Sequence, residues 1–191
     1  MPQGRLFVVA GPSGAGKGTL IAALLQRYPT AWLSVSATTR KPREGEVDGV
    51  QYFFLTEDAF REMAAAGDFL EWAEVHGKLY GTPRSGVLDM LDAGRDVVLE
   101  IDVQGARQVR EKVPDAVAIF VAPPSAQVLE ERLRKRGTED EAELRRRLRN
   151  ASMESREKGD YRYVVVNDQL YRAVEDFCAI YEKESPLQRK D

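Results

Sequence analysis

A glycine-rich loop closes off most of the folds open to this sequence. Gly11-Pro12-Ser13-Gly14-Ala15-Gly16-Lys17 follows directly on the apolar run Leu6-Phe7-Val8-Val9-Ala10. A short unbroken apolar run reads as a strand buried on both faces, as at the centre of a parallel sheet. After the loop, Leu20, Ile21, Leu24, Leu25 and Tyr28 recur at helical spacing up to Pro29, which ends the helix. Strand, G-x-x-x-x-G-K and helix together make a phosphate-binding loop. Glycines let backbone N–H groups turn inward around a phosphate. The helix N-terminus adds partial positive charge, and Lys17 adds a point charge for the β- and γ-phosphates of ATP. One position departs from the motif: Gly18 stands where Ser or Thr is expected, with Thr19 next. A hydroxyl at that position would ligate Mg²⁺. Here Mg²⁺ is expected to be held by ATP oxygens and water, which it tolerates, and Thr19 is placed at the α-phosphate.

The rest of the chain repeats the alternation. Val97–Asp102, Val117–Val121 and Tyr163–Val166 read as further buried strands. Helical patterns run over Gln104–Lys112, Gln127–Arg136, Glu141–Arg156 and Leu170–Glu182. Strands alternating with helices predict an α/β fold with a parallel sheet flanked by helices and right-handed crossovers. Two stretches break the rhythm. Residues 36–84 are rich in Thr, Arg, Gly and aromatics, with a strand-like Val50–Leu55 and a short helix opened by Thr56. Residues 130–158 are dense in Arg and Glu; Thr138 with Glu141 forms a capping box ahead of the apolar stripe Leu144, Leu148, Ala151. At 191 residues one domain is expected. Its core would be 1–35, 85–125 and 160–191, with an insert at about 36–84 and a helical lid at about 126–158.

Composition removes several function classes. A net charge of −3 is poorly suited to coating nucleic acid, which needs a strong positive excess. One cysteine, Cys178, and one histidine, His76, allow no internal disulfide and no Cys/His metal site. Cys178 reads as a buried thiol and His76 as a loop residue. The N-terminal apolar run is too short for a signal peptide or a membrane span. A cytoplasmic protein with no membrane partner is expected; oligomeric state stays open.

A kinase for a small phosphorylated acceptor must hold a second anion beside ATP, so it needs fixed cations. Arginine forks suit phosphate. Arg40 and Arg43 sit in a Pro-bounded segment, and Tyr52 and Tyr80 offer hydroxyls. Spacing alone fits a solvated basic loop equally well.

Longer blocks decide between these readings. Ser36-Ala37-Thr38-Thr39-Arg40-Lys41-Pro42-Arg43-Glu44-Gly45-Glu46 resembles the signature of guanylate kinases. So do Phe69–Ala73, Tyr80-Gly81-Thr82, Leu99–Gly105, Arg136-Gly137-Thr138 and Val166-Asn167-Asp168. They occur in family order over about residues 5 to 182. Lys-Gly-Thr after the loop is similar to adenylate kinases. The resemblance implies that ATP phosphorylates GMP, with dGMP as a further acceptor and Mg²⁺ as cofactor. It implies that Arg40, Arg43, Tyr52 and Tyr80 bind the GMP phosphate, and that Ser36, Glu71 and Thr82 read guanine. Guanine presents adjacent N–H donors to a carboxylate and O6 to a hydroxyl; adenine would leave the carboxylate unpaired. Asp102 would act through the Mg²⁺ water shell or on the acceptor, with no direct metal ligand assigned. Glu100 stands where the family pattern more often has Asp. Arg132, Arg136 and Arg147 match lid arginines that close on the transferring phosphoryl, and Asn167 matches a residue near adenine. Two rivals remain: an inactive guanylate-kinase-like protein-binding module, and a P-loop kinase for another small acceptor. Intact Gly16-Lys17 speaks against the first; Glu71 with Ser36 and Thr82 speaks against the second.

Overall fold

Near-continuous apolar runs build the central sheet. The computed structural model describes residues 3–75, 77–135 and 141–188. His76, Arg136 and the capping residue Thr138 lie outside them. In the large sheet are β1 (Leu6–Ala10), β2 (Trp32–Leu33), β7 (Val97–Glu100), β8 (Val117–Ala122) and β9 (Tyr163–Val166). They run parallel in the order β2-β7-β1-β8-β9. Alternation along β1 divides the core in two. Phe7 and Val9 pack with Leu20, Ile21 and Leu24 of α1 (Lys17–Arg27) and Phe177, Cys178 and Tyr181 of α7 (Leu170–Glu184). Leu6, Val8 and Ala10 face Val87 of α3 (Arg84–Asp92) and Val103, Ala106 and Val109 of α4 (Val103–Lys112). Cys178 is the buried thiol expected.

The stretch at 36–84 forms a second, four-stranded sheet. Its strands are β3 (Ser36–Thr38), β4 (Tyr52–Phe54), β5 (Phe69–Val75) and β6 (Lys78–Pro83), in the order β4-β3-β6-β5. Helix α2 (Glu57–Ala66) is capped by Thr56, whose hydroxyl accepts from Ala59 N–H at 3.2 Å. Phe60 stacks on Phe69 at 4.5 Å between centroids, giving this sheet its own small core. The charged stretch forms α5 (Ala126–Lys135) and α6 (Glu141–Glu154), followed by a 3₁₀ turn over Ser155–Asp160. Leu129, Leu133, Leu144 and Ala151 make the seam between the two helices.

Helix α4 fastens the small sheet to the large one. Gln108 Nε2 donates to Trp72 O at 2.7 Å and its Oε1 accepts from Trp72 N–H at 3.4 Å. Lys112 Nζ donates to Leu70 O at 2.7 Å, and Gln104 Nε2 makes a long contact with Glu74 O at 3.5 Å. Every fourth helical residue, about 6 Å on, keeps step with every second strand residue, about 6.8 Å on. The free edge of β5 is therefore paired by side chains instead of a strand.

Two expectations need correction. The Tyr163–Val166 run is an edge strand, buried only at Val165, with Val164 and Val166 45% and 50% exposed. Apolar runs do not distinguish an edge from a centre when one face is left uncovered. The run from Val97 ends as strand at Glu100, and Asp102 is instead the N-cap of α4, accepting from Gly105 N–H at 2.9 Å.

Away from the loop end of the sheet, Asp96 is fully buried. It accepts from Arg5 N–H at 2.7 Å and from the Ser185 hydroxyl just past α7. Asp96→Ala strands both donors, an expected loss of about 2–3 kcal/mol. A lowered urea midpoint with unchanged kcat checks it.

Candidate active site

Backbone torsions shape the loop after β1. Gly11, Gly14 and Gly16 have φ of 139°, 88° and 95°, values that favour glycine. Gly16 is also the N-cap of α1, which has no side-chain cap and no acidic residue in its first turn. Its first N–H groups thus form an anion-binding helix end. The Lys17 ammonium donates to the carbonyls of Gly11 at 2.7 Å and Pro12 at 3.2 Å, which holds it over the loop. Asn167 braces the loop from β9: its Nδ2 donates to Ala15 O at 2.8 Å and its N–H to Ala122 O at 2.8 Å. A Cβ on Gly16 would stand 2.2 Å from that Nδ2.

A cleft of about 330 Å³ opens where the large sheet's loops meet the small sheet. Gly11, Ser13 and Lys17 line it with Ser36, Arg43, Tyr52, Glu71 and Tyr80. Glu100 comes from the end of β7, Asp102 from the N-cap of α4, and Arg147 and Glu154 from α6. These are residues expected of both the ATP and the GMP sites, gathered round one cavity. Tyr52 and Tyr80 meet edge to face at 6.0 Å.

Glu71 is the unusual member. It is 3% exposed, and Thr82 Oγ1 donates to its Oε1 at 2.6 Å. Burial pushes its carboxyl up to about 7; the Thr82 hydrogen bond opposes the rise and the nearby Asp102 charge adds to it. A carboxylate kept this dry beside the Thr82 hydroxyl and N–H can accept further donors.

Of the expected acceptor and lid residues, Arg40, Thr82 and Arg132 do not line the cleft, nor does Asn167; Thr82 is fully buried and meets the cleft only through Glu71. Arg40 forks onto Glu46 at 2.8 and 2.9 Å, while its guanidinium lies 5.2 Å from the Tyr52 centroid and 5.7 Å from that of Phe54. Arg40 first, then the Arg43 N–H, holds the Glu46 carboxyl down to about 2. Arg132 donates to Asn167 O at 2.8 Å. Glu154 and Gln51 line the cleft and were not expected from sequence. Glu154 stands seven residues after Arg147, two helical turns along one face; that spacing was the available signal. Burial raises its carboxyl, with Lys17 opposing.

Mg²⁺ fits this site as a hydrated ion. Among the described residues no three His, Cys, Asp or Glu side chains gather to cage a metal. A Cβ on Gly18 would stand 3.4 Å from Glu100 Oε2, so a carboxylate occupies the neighbourhood of the missing hydroxyl. Mg²⁺ with phosphate oxygens and waters needs only such outer partners. No helix among the described residues is long and apolar enough to cross a membrane.

The family model for guanylate kinase matches residues 3–184. The chain belongs to the guanylate kinase family. A guanylate kinase of Synechococcus sp. (strain JA-3-3Ab) is 49% identical over 184 residues, covering 96% of this chain and 85% of the relative. One from Caldanaerobacter subterraneus subsp. tengcongensis is 52% identical over 178 residues, covering 93% and 86%. In fold, the chain is similar to the crystal structure of guanylate kinase from Anaplasma phagocytophilum. The TM-score is 0.79 at 32% identity, covering 97% of this chain and 88% of the other.

Proposed function

We propose that this chain transfers the γ-phosphoryl group of ATP to GMP, and to dGMP, giving ADP and the diphosphate. The observation that carries the reading is Glu71, which lines the same cleft as Lys17 and is buried against the Thr82 hydroxyl. The loop, Gly11 through Thr19, takes the ATP phosphates. Glu71, Thr82 and Ser36 take guanine, and Arg43, Tyr52 and Tyr80 the GMP phosphate. Arg40 acts from outside the cleft, either by exchanging Glu46 for phosphate or by holding the loop that carries Arg43.

A GMP phosphate oxygen bonds to the γ-phosphorus as the bond to the β–γ bridging oxygen breaks, and ADP leaves with that electron pair. Positioning and charge compensation do the work, and no general base is assigned. Lys17 turns from its loop carbonyls to the β- and γ-oxygens. Arg147, with Arg132 and Arg136, meets charge on the transferred group. Glu100 and Asp102 would hold the water shell of a Mg²⁺ ion that came with ATP, and the ion would supply positive charge to offset that of the phosphates. Closure of the small sheet and of α5–α6 over the core excludes water, which would otherwise take the phosphoryl group. Because both substrates are free nucleotides, a cytoplasmic setting is part of the proposal.

ADP release, measured with ATP and each nucleoside monophosphate, tests this. GMP is expected to exceed AMP in kcat/KM by about 10⁴-fold, the scale for sites built on buried hydrogen bonds. Equal rates with AMP would overturn it. Arg43→Ala should lower kcat/KM for GMP about a hundredfold with little change in KM for ATP. A loss confined to ATP would remove Arg43 from the acceptor site.

A further inference from the structure

We infer that Gly105 is a specificity-determining position: its missing side chain is the space in which the Glu71 carboxylate is held against α4. The inference rests on the guanine-reading role proposed for Glu71.

Nothing in the backbone asks for glycine here. Gly105 lies in the first turn of α4, and its φ is outside the left-handed region. Its N–H donates to the Asp102 cap at 2.9 Å, which any residue but proline could do. Inside a helix glycine is less favourable than alanine by about 1 kcal/mol. What a Cβ would meet is the carboxylate: Glu71 Oε2 at 2.1 Å and Cδ at 2.8 Å, then Asp102 Oδ1 at 3.3 Å. The first two are closer than atoms can approach. A methyl group and the Glu71 carboxylate therefore exclude each other, and the local helix cost of glycine is accepted to keep the carboxylate in place.

The carboxylate has little freedom to retreat. Its Oε1 is tied to Thr82 at 2.6 Å. The strand that carries it is pinned on either side by Lys112 at Leu70 and Gln108 at Trp72. Between Phe69 and Glu71 the β5–β6 register shifts, so a bulge aims this side chain. A Cβ at 105 would break the Thr82 contact and turn the acceptor oxygens away from the base. Gly105 touches no nucleotide in this scheme; it is a positioning residue acting through Glu71.

The test is a double-mutant cycle of Gly105→Ala and Glu71→Ala, reading KM for GMP, KM for ATP and Tm in all four proteins. Gly105→Ala should raise KM for GMP about tenfold or more while KM for ATP stays within about twofold. In the Glu71→Ala background the same substitution should change KM for GMP less than about twofold, because the clash is gone. If Gly105→Ala alone fails to fold, the double variant should fold, and that rescue is the same signature. An equal effect of Gly105→Ala in both backgrounds, no effect on KM for GMP, or a double variant as unstable as the single would overturn the inference. If Glu71→Ala itself leaves KM for GMP unchanged, the guanine-reading role of Glu71 fails first and takes this inference with it.

Discussion

Glu71→Ala is expected to lower kcat/KM for GMP by about three orders of magnitude while leaving KM for ATP nearly unchanged. The removed carboxylate would accept the adjacent donors of guanine inside a nearly dry pocket, where unpaired polar groups cost most. A loss below about tenfold in steady-state kinetics would show that Glu71 does not read the base. The same residue predicts an inverse effect on stability. Its carboxyl titrates near 7 in the fold against an ordinary 4.5. Because the folded state raises this value, the penalty of keeping the group ionised grows as pH rises from 4.5 and is complete above 7. The shift corresponds to about 3 kcal/mol at most. Glu71→Gln carries no such penalty, so its Tm should exceed the parent's at pH 8 and match it near pH 4, while GMP turnover is lost. A variant less stable than the parent at pH 8 would contradict this assignment of the charge. Below about pH 7 the parent should also lose GMP affinity, as the carboxyl takes up a proton and ceases to accept.

Lys17→Met should reduce kcat about a thousandfold, the scale of losing one dedicated charge on the transferring group. The side chain starts α1 and is aimed by two loop carbonyls at 2.7 and 3.2 Å. It is therefore already at the cradle before any nucleotide arrives. Methionine keeps the stem and removes the charge, so GMP affinity should hold within a few-fold. Single-turnover phosphoryl transfer would check it; a rate within tenfold of the parent would take Lys17 out of the reaction.

Much of the fold was legible in local pattern. The β1–loop–α1 unit follows from an apolar run, glycines at three left-handed positions and helical spacing. Strands β7 and β8 and helices α4 to α7 were readable within a few residues for the same reason. The small sheet was not, apart from β4 and α2. Its strand β3 has three residues, and β2 of the large sheet only two, too few for any period to show. In β5 the residues Phe69, Leu70 and Glu71 are all buried in succession, and a bulge breaks the alternation there. That irregularity places the Glu71 carboxylate indoors, so the pattern is lost beside the cleft. Glu71 and Thr82 were accordingly reached through family resemblance, not periodicity. Arg40 shows the converse: its motif was plain, but its fork onto Glu46 depends on a turn that no spacing rule displays.

The helix fastened along β5 has one more effect. An unpaired strand margin is a template on which a foreign strand can grow, the starting point of ordered aggregates. In this chain the outward carbonyls of Leu70 and Trp72 are already taken by Lys112 and Gln108. The opposite margin, β4, is only three residues long. The small sheet can thus stay small without offering neighbouring molecules a ladder to join.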